Sequence, residues 1–331
     1  MATNKFPEVI PAAAISEACQ DSVAIIINNT GNNSIVTSLN ALFPQSAYKV
    51  YYVEPGIGHL KETIFLCADL KIKSIVLCGE ELPDLEIIAP AQNYSVSLIS
   101  AGCEEDKNDI LSYILKDKLV VDFSHIAYQS YKYNPEILKQ ARERVFDDLR
   151  LGTIRGDISI AEPHIRSSHY LFLDMRSVRA SDFPESLTKS PNGLYAEEIC
   201  QLARYIGMGQ NLKTTYIYGY PSNCKPNSTS NQLLAEVLWH MFEALSSNIY
   251  EDPGNPETEE LFLRKIVSMG KEGQDLAFVT SSSTGRWWME IPEVKNNNNQ
   301  YVACSYSDYM TAYSGEIPLR WLFFYQKINN N

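Results

Sequence analysis

The sequence predicts an α/β protein with three αβα layers around a mainly parallel sheet, plus a small antiparallel, aromatic-rich C-terminal extension. Three observations predict it. Short apolar runs alternate with stretches of helical periodicity, the pattern of a sheet covered on both faces. The run Tyr170–Leu173 ends at Asp174, and open α/β sheets hold their ligands at such strand ends. After the breaker cluster Asp252-Pro253-Gly254-Asn255-Pro256, short strands separated by Gly, Pro and Asn turns take over.

In order, the strands are expected at Val23–Ile27, Lys49–Val53, Ser74–Leu77, Ser95–Ile99, Leu119–Phe123, Tyr170–Leu173 and Thr214–Tyr218. Helical periodicity covers Glu136–Leu149. It returns after the loop that follows Asp174, with Ile199, Leu202, Ala203 and Ile206 on one face. Glu197 and Glu198 fall in that helix's first turn, where its dipole favours negative charge, and Gly207 is expected just past its end. A further helix carries the stripe Leu234, Leu238, Met241 and Leu245, widened by Leu233 and Val237. Residues 1–265 form the α/β domain in this reading, with 266–331 as an extension packed on it. That extension is expected to hold strands at Asp275–Val279, Arg286–Ile291 and Gln300–Ser305, with Ser281–Gly285 as a hairpin turn. Its aromatic side chains either cap the sheet edge or the site mouth, or form a partner surface.

Charge and cysteine usage narrow the function classes. Lys and Arg number 28 against 40 Asp and Glu, a net charge of −12 over 331 residues. That balance argues against nucleic acid and anionic membranes as partners. No basic start leads into a long apolar run, and no stretch approaches membrane-spanning length. The seven cysteines show no CxxC or paired spacing and read as free thiols in a cytoplasmic protein. His125, His164, His169 and His240 lack a neighbouring nucleophile or acid and read as packing residues. Gly56-Ile57-Gly58 lacks the rest of a dinucleotide fingerprint.

The stretch HYLFLDMRSVRASDFPESLTKSPNGLYAEEICQLARYIG, His169 to Gly207, carries a specific spacing. Counted from Asp174, it places Ala180, Pro184 and Gly193 in register with the signature of the ureohydrolase family (arginase, agmatinase, formiminoglutamase), which it resembles. The likeness is to a bacterial formiminoglutamase-like branch, to which RWWMEIP, CSYSDYMTA and EIPLRW in the extension are also similar. The resemblance implies an arginase-like fold. It also implies a dinuclear manganese centre whose bridging hydroxide attacks an amidine or guanidine carbon.

The same resemblance exposes what is missing. The implied metal-site positions are Glu81, Ser100, Gly102, Glu104, Asp174 and Arg176. Asp174 alone keeps the family residue. Glu81 stands where a histidine is expected, Ser100 and Gly102 replace two more ligands, and Arg176 brings a fixed positive charge. Phe172 and Glu185 replace small residues. Glu198 falls at the family's guanidinium-binding position and is the candidate acceptor for a small cationic or amidine ligand. No cofactor is therefore expected, with manganese as the alternative. The expectation is a homologue with a decayed metal centre, a homo-oligomer kept for binding, assembly or regulation. The alternative is an active metal-dependent amidine or guanidine C–N hydrolase. In the first case Arg176 replaces the metals as the hub of an ion-pair cluster with Asp174, Glu81 and Glu104.

Overall fold

The computed structural model describes residues 7–18, 22–31, 33–54, 59–82, 92–102, 110–144, 146–247, 249–269, 275–296 and 298–329. The chain divides into two compact units: Met1–Ile158 with Ile165–Asn248, and Ser159–His164 with Ile249–Asn331.

The first unit is built on strands β1 (Glu8–Val9), β2 (Ser22–Asn28), β3 (Lys49–Val53), β4 (Ser74–Gly79), β5 (Tyr94–Ile99), β6 (Val120–Tyr128), β7 (Asp147–Arg150), β8 (Tyr170–Asp174) and β9 (Thr214–Tyr218). They form one parallel sheet in the order β1-β3-β2-β4-β9-β8-β5-β6-β7. The helices are α1 (Ile15–Ala18), α2 (Ser34–Leu39), α3 (Leu60–Asp69), α4 (Ile110–Lys116), α5 (Pro135–Glu143), α6 (Leu151–Gly156), α8 (Ala196–Gly207) and α9 (Thr229–Ser246), while α7 (Glu162–Arg166) begins in the second unit's segment Ser159–His164. Central strands are buried on both faces: β5, β8 and β9 are almost wholly shielded from solvent. Burial on both faces lets β8 read as a continuous apolar run, whereas the buried hydroxyls of Ser95, Ser97, Thr214 and Thr215 interrupt β5 and β9.

Strand order places two crevices at the carboxyl edge of the sheet. From β5 the chain moves outward to β6 and β7, whereas from β8 it moves the other way to β9. From β2 it moves outward to β3, whereas from β4 it crosses to β5. The ends of β8 and β5, and those of β2 and β4, therefore flank points where the winding reverses, the ligand-binding positions of open α/β sheets.

Several elements differ from the sequence reading. The helix expected over Glu136–Leu149 stops at Glu143, and Asp147–Arg150 forms β7 at the sheet edge. A half-exposed strand with alternating burial and four mixed residues, DDLR, carries no apolar run to betray it. The strand expected to end at Phe123 runs on to Tyr128, so His125 lies inside β6. Gly207 does not follow α8 but is buried within its last turn. A Cβ there would collide with the Met241 carbonyl oxygen of α9, so the glycine marks where the two helices touch.

The second unit has four antiparallel strands, β10 (Phe262–Val267), β11 (Leu276–Ser281), β12 (Trp287–Glu293) and β13 (Asn298–Cys304), in sequential order. Helices α10 (Tyr306–Tyr313) and α11 (Leu319–Asn329) follow. The hairpin turn between β11 and β12 lies where the sequence puts it. Strand β10 and both helices are additions to the expected appendage. The signal for α10 was present: Ser305 Oγ accepts the Asp308 N–H and Asp308 accepts the Ser305 N–H, a reciprocal cap. Phe278, Met289, Ile291, Cys304 and Trp321 form the core of this unit. The short segment Ser159–His164 is held within it by Arg320, whose Nη1 lies 2.9 Å from His164 Nδ1. Arg286 contributes too, 3.8 Å from Glu162 and 3.3 Å from Glu251.

Candidate functional site

Strand β8 delivers Asp174 to the crevice beside β5. The residue is 3% exposed. Past it the chain turns immediately into one 3-10 turn, Met175–Ser177, whose first N–H groups the carboxylate caps: Arg176 N–H donates to Asp174 Oδ1 at 2.9 Å. The Arg176 guanidinium folds back onto the same carboxylate. Its Nε donates to Oδ1 at 2.8 Å and its Nη2 to Oδ2 at 3.0 Å, a two-pronged charge-assisted pair. Side-by-side projection from a strand is not the cause, since Arg176 lies beyond the strand end. The turn produces the contact. Gly219, with φ +74°, presents bare backbone against the pair, where a Cβ would run into Asp174 and Arg176. The guanidinium carbon also lies 5.6 Å from the centre of the Tyr218 ring.

The loop after this turn gives the matched spacing a physical basis. Leu194 N–H donates to Ser177 O at 2.8 Å, Arg179 N–H to Leu194 O at 3.1 Å, and Ala180 N–H to Ser190 O at 2.7 Å. The loop thus closes on itself. A Cβ on Gly193 would come within 2.5 Å of the Ser177 carbonyl oxygen, so only glycine allows that crossing. Directly beyond it, α8 begins. Glu198 Oε2 accepts the Tyr195 N–H at 2.8 Å, while Oε1 lies 3.6 Å from Arg155 Nε. The carboxylate thereby serves the helix start and Arg155. Arg155 and Arg179 also lie over the ring of Tyr195, at 4.3 and 4.1 Å.

Ser100, just past β5, is buried and belongs to a hydroxyl–imidazole triangle. Its Oγ is 2.7 Å from Tyr133 Oη and 3.2 Å from His125 Nε2, and Tyr133 Oη is 3.1 Å from the same nitrogen. His125 stacks on Tyr128 with ring centres 4.9 Å apart. Gly102 has no side chain to offer, and Lys132 packs into the space: a Cβ on Gly102 would lie 2.5 Å from Lys132 Cβ. Lys132 Nζ donates to Ser190 Oγ at 2.7 Å. Burial lowers the affinity of this amine for its proton, and the charge of Asp174 opposes that shift. Glu81, after β4, is exposed, and Glu104 lies outside the described residues. Asp174 and Arg176 are thus brought into contact, Ser100 and Gly102 come from the facing strand end, and Glu81 faces solvent. Sequence reasoning missed Lys132 and Tyr133. Both follow β6, and no local pattern distinguishes them. Among the described residues, no group of three His, Cys, Asp or Glu side chains could hold a metal ion.

Burial pushes His125 down to about 3, with a hydrogen bond to the Ser100 backbone opposing the shift. A histidine with a folded-state pKa below its unfolded value of about 6.5 stays neutral when folded and charges on unfolding. It favours the folded state fully above about pH 6.5, and that contribution is lost as pH falls toward 3. Urea unfolding between pH 7 and pH 5 is therefore expected to show up to one extra proton taken up on unfolding, a slope of at most about 1.4 kcal/mol per pH unit. His125→Asn should flatten it. An unchanged slope in the variant would assign the proton to another group.

Comparison of the fold with solved structures decides the architecture. Trypanosoma cruzi formiminoglutamase superposes with a TM-score of 0.60 at 13% identity, covering 69% of this chain and 94% of that one. The chain has the ureohydrolase fold. Formimidoylglutamase from Bacillus subtilis matches with a TM-score of 0.57 at 14% identity, over 69% of this chain and 88% of that one. Agmatine ureohydrolase of Thermoplasma volcanium matches with 0.52 at 11%, over 69% and 91%. No protein-family model matches the sequence, and no curated protein does. At these identities the likeness to ureohydrolases is one of fold.

Proposed function

We propose that this chain is a ureohydrolase relative that works without a dinuclear metal centre, as a binding, assembly or regulatory protein. The observation that carries the reading is the Arg176 guanidinium on Asp174. Both carboxylate oxygens of the one retained ligand accept from a permanent cation. A metal ion would have to displace that pair, and Arg176 cannot give up its charge to make room. The donors around it do not suit manganese either. Ser100 Oγ is engaged with His125 and Tyr133, Gly102 provides no ligand atom, and the ammonium of Lys132 stands on that side instead. Manganese centres need carboxylates and imidazoles converging on one point. No hydrolytic step is therefore assigned to these residues. A cytoplasmic location and self-association accompany this proposal.

The rival reading, an active C–N hydrolase of an amidine or guanidine, draws on the fold neighbours, one of which was solved with a Mn2+ pair. Elemental analysis after incubation with manganese and desalting separates the two. Metal well below one equivalent, together with no turnover of formiminoglutamate, agmatine or arginine, is the expected result. Near two tightly held equivalents with turnover would overturn the proposal.

A further inference from the structure

The second reversal point of the sheet, between the ends of β2 and β4, lies apart from the Asp174 crevice and opens into a shallow, largely solvent-open cavity of about 710 Å3. We propose that this cavity is a binding site for a small, polyhydroxylated anion of the sugar-phosphate class. Its size falls within the range of about 300–1,000 Å3 typical of small-molecule sites. Thr30, Ser34, Thr37, Ser222 and Asn223 line it with hydroxyl and amide groups, and Lys225 adds one ammonium. Among the described residues the lining side chains include no carboxylate, although those of Glu80 and Glu185 lie close enough to act on Cys224. Such a wall donates to and accepts from sugar hydroxyls, and the Lys225 ammonium offers a charge-assisted contact to a phosphate.

Two of the lining residues, Thr30 and Ser34, are fixed by the fold, while Thr37, Asn223 and Lys225 are exposed at the rim. Asn28, 2% exposed at the end of β2, accepts both the Thr30 N–H at 3.1 Å and the Thr30 hydroxyl at 2.7 Å through Oδ1. On the opposite side, buried Asn231 of α9 donates to Ser38 Oγ at 2.6 Å and accepts from Ser34 Oγ at 3.3 Å, tying α9 to α2. Gly79, with φ +69°, closes the back of the crevice. A Cβ there would lie 3.0 Å from Thr30 Cγ2 and 3.2 Å from Ser222 Cβ, so glycine lets both loops meet over the strand ends. A narrower cleft lined by Asn28, Leu77, Tyr220 and Asn231 continues inward.

Cys224 lies on the wall and supplies a reporter. Partial burial and the charges of Glu185 and Glu80 raise its pKa, while a hydrogen bond with Ser228 opposes them. Glu185 itself is held at the start of α9 by the Ser230 N–H at 2.8 Å. Iodoacetamide labelling of Cys224 in the full chain at mildly alkaline pH, read by peptide mass spectrometry, tests the site. The probes are ribose 5-phosphate, ribose and inorganic phosphate. Ribose 5-phosphate is expected to slow labelling about tenfold at saturation, at lower concentration than either fragment alone. Lys225→Met should raise the concentration needed by about tenfold, the loss of one charge-assisted contact, with its melting temperature unchanged. Equal protection by phosphate alone would mark an adventitious ion only and overturn the proposal. So would equal protection by ribose alone, no protection by any probe, or protection that survives Lys225→Met.

Discussion

Replacing Arg176 by alanine is expected to destabilise the protein by about 3 kcal/mol, the cost of leaving a buried carboxylate without its charged partner. The Asp174 side chain is 4% exposed and that of Arg176 17%, so solvent screens the pair weakly. The variant loses two charge-assisted hydrogen bonds in one step, Nε to Oδ1 and Nη2 to Oδ2. The Arg176 N–H still caps Asp174, which keeps the turn in place and confines the change to the guanidinium. Urea unfolding at neutral pH measures the loss, and a double-mutant cycle with Asp174→Asn isolates the pair. Removing both charges should cost clearly less than the sum of the single changes, because the amide no longer strands a charge. Additive losses would show that Arg176 acts through packing on Tyr218 rather than through Asp174. Arg176→Asp is expected to be more damaging than Arg176→Ala, since it adds like-charge repulsion beside Asp174, and to recruit no manganese, since Ser100 and Gly102 still offer no imidazole or carboxylate.

How far the sequence revealed this arrangement depends on which physical signal each element carries. Strands β2, β3, β4, β5, β6, β8 and β9 were legible because each carries a cluster of buried β-branched, aliphatic or aromatic residues. Strands β7 and β10 were not. Both lie at sheet edges, where residues such as Asp148, Arg150, Arg264 and Lys265 face solvent and erase the run. In the site, Asp174 was legible from its place at a strand end. The contact with Arg176 arises from the 3-10 turn past the strand end, which strand alternation does not describe. Lys132 and Tyr133 arrive beside Gly102 and Ser100 only through the pairing of β5 with β6. Such tertiary placement leaves no trace in local spacing. Gly207 shows the same limit: a helix-ending residue by pattern, it is a helix-crossing residue by packing.

Replacing Phe172 by serine is expected to cost about 3–5 kcal/mol, the range for emptying a buried aromatic site. Phe172 is 1% exposed and pairs across the sheet with Tyr216 of β9. Their rings stack with centres 5.1 Å apart and planes 12° from parallel. Phe172 also registers with Leu98 of β5, so it fills the layer under the crevice in which Asp174 sits. A serine there would leave most of the ring volume empty and add a hydroxyl to an apolar layer. Phe172→Leu, which keeps more of the volume, should cost less than Phe172→Ser, on the order of 1 kcal/mol. Equilibrium unfolding of the two variants separates volume from polarity. Nearly equal losses would show that the ring stack on Tyr216, rather than the filled volume, holds this layer. A serine variant as stable as the parent would show that the layer collapses without cost, and that the large residue at 172 is not what supports the strand end beneath Asp174.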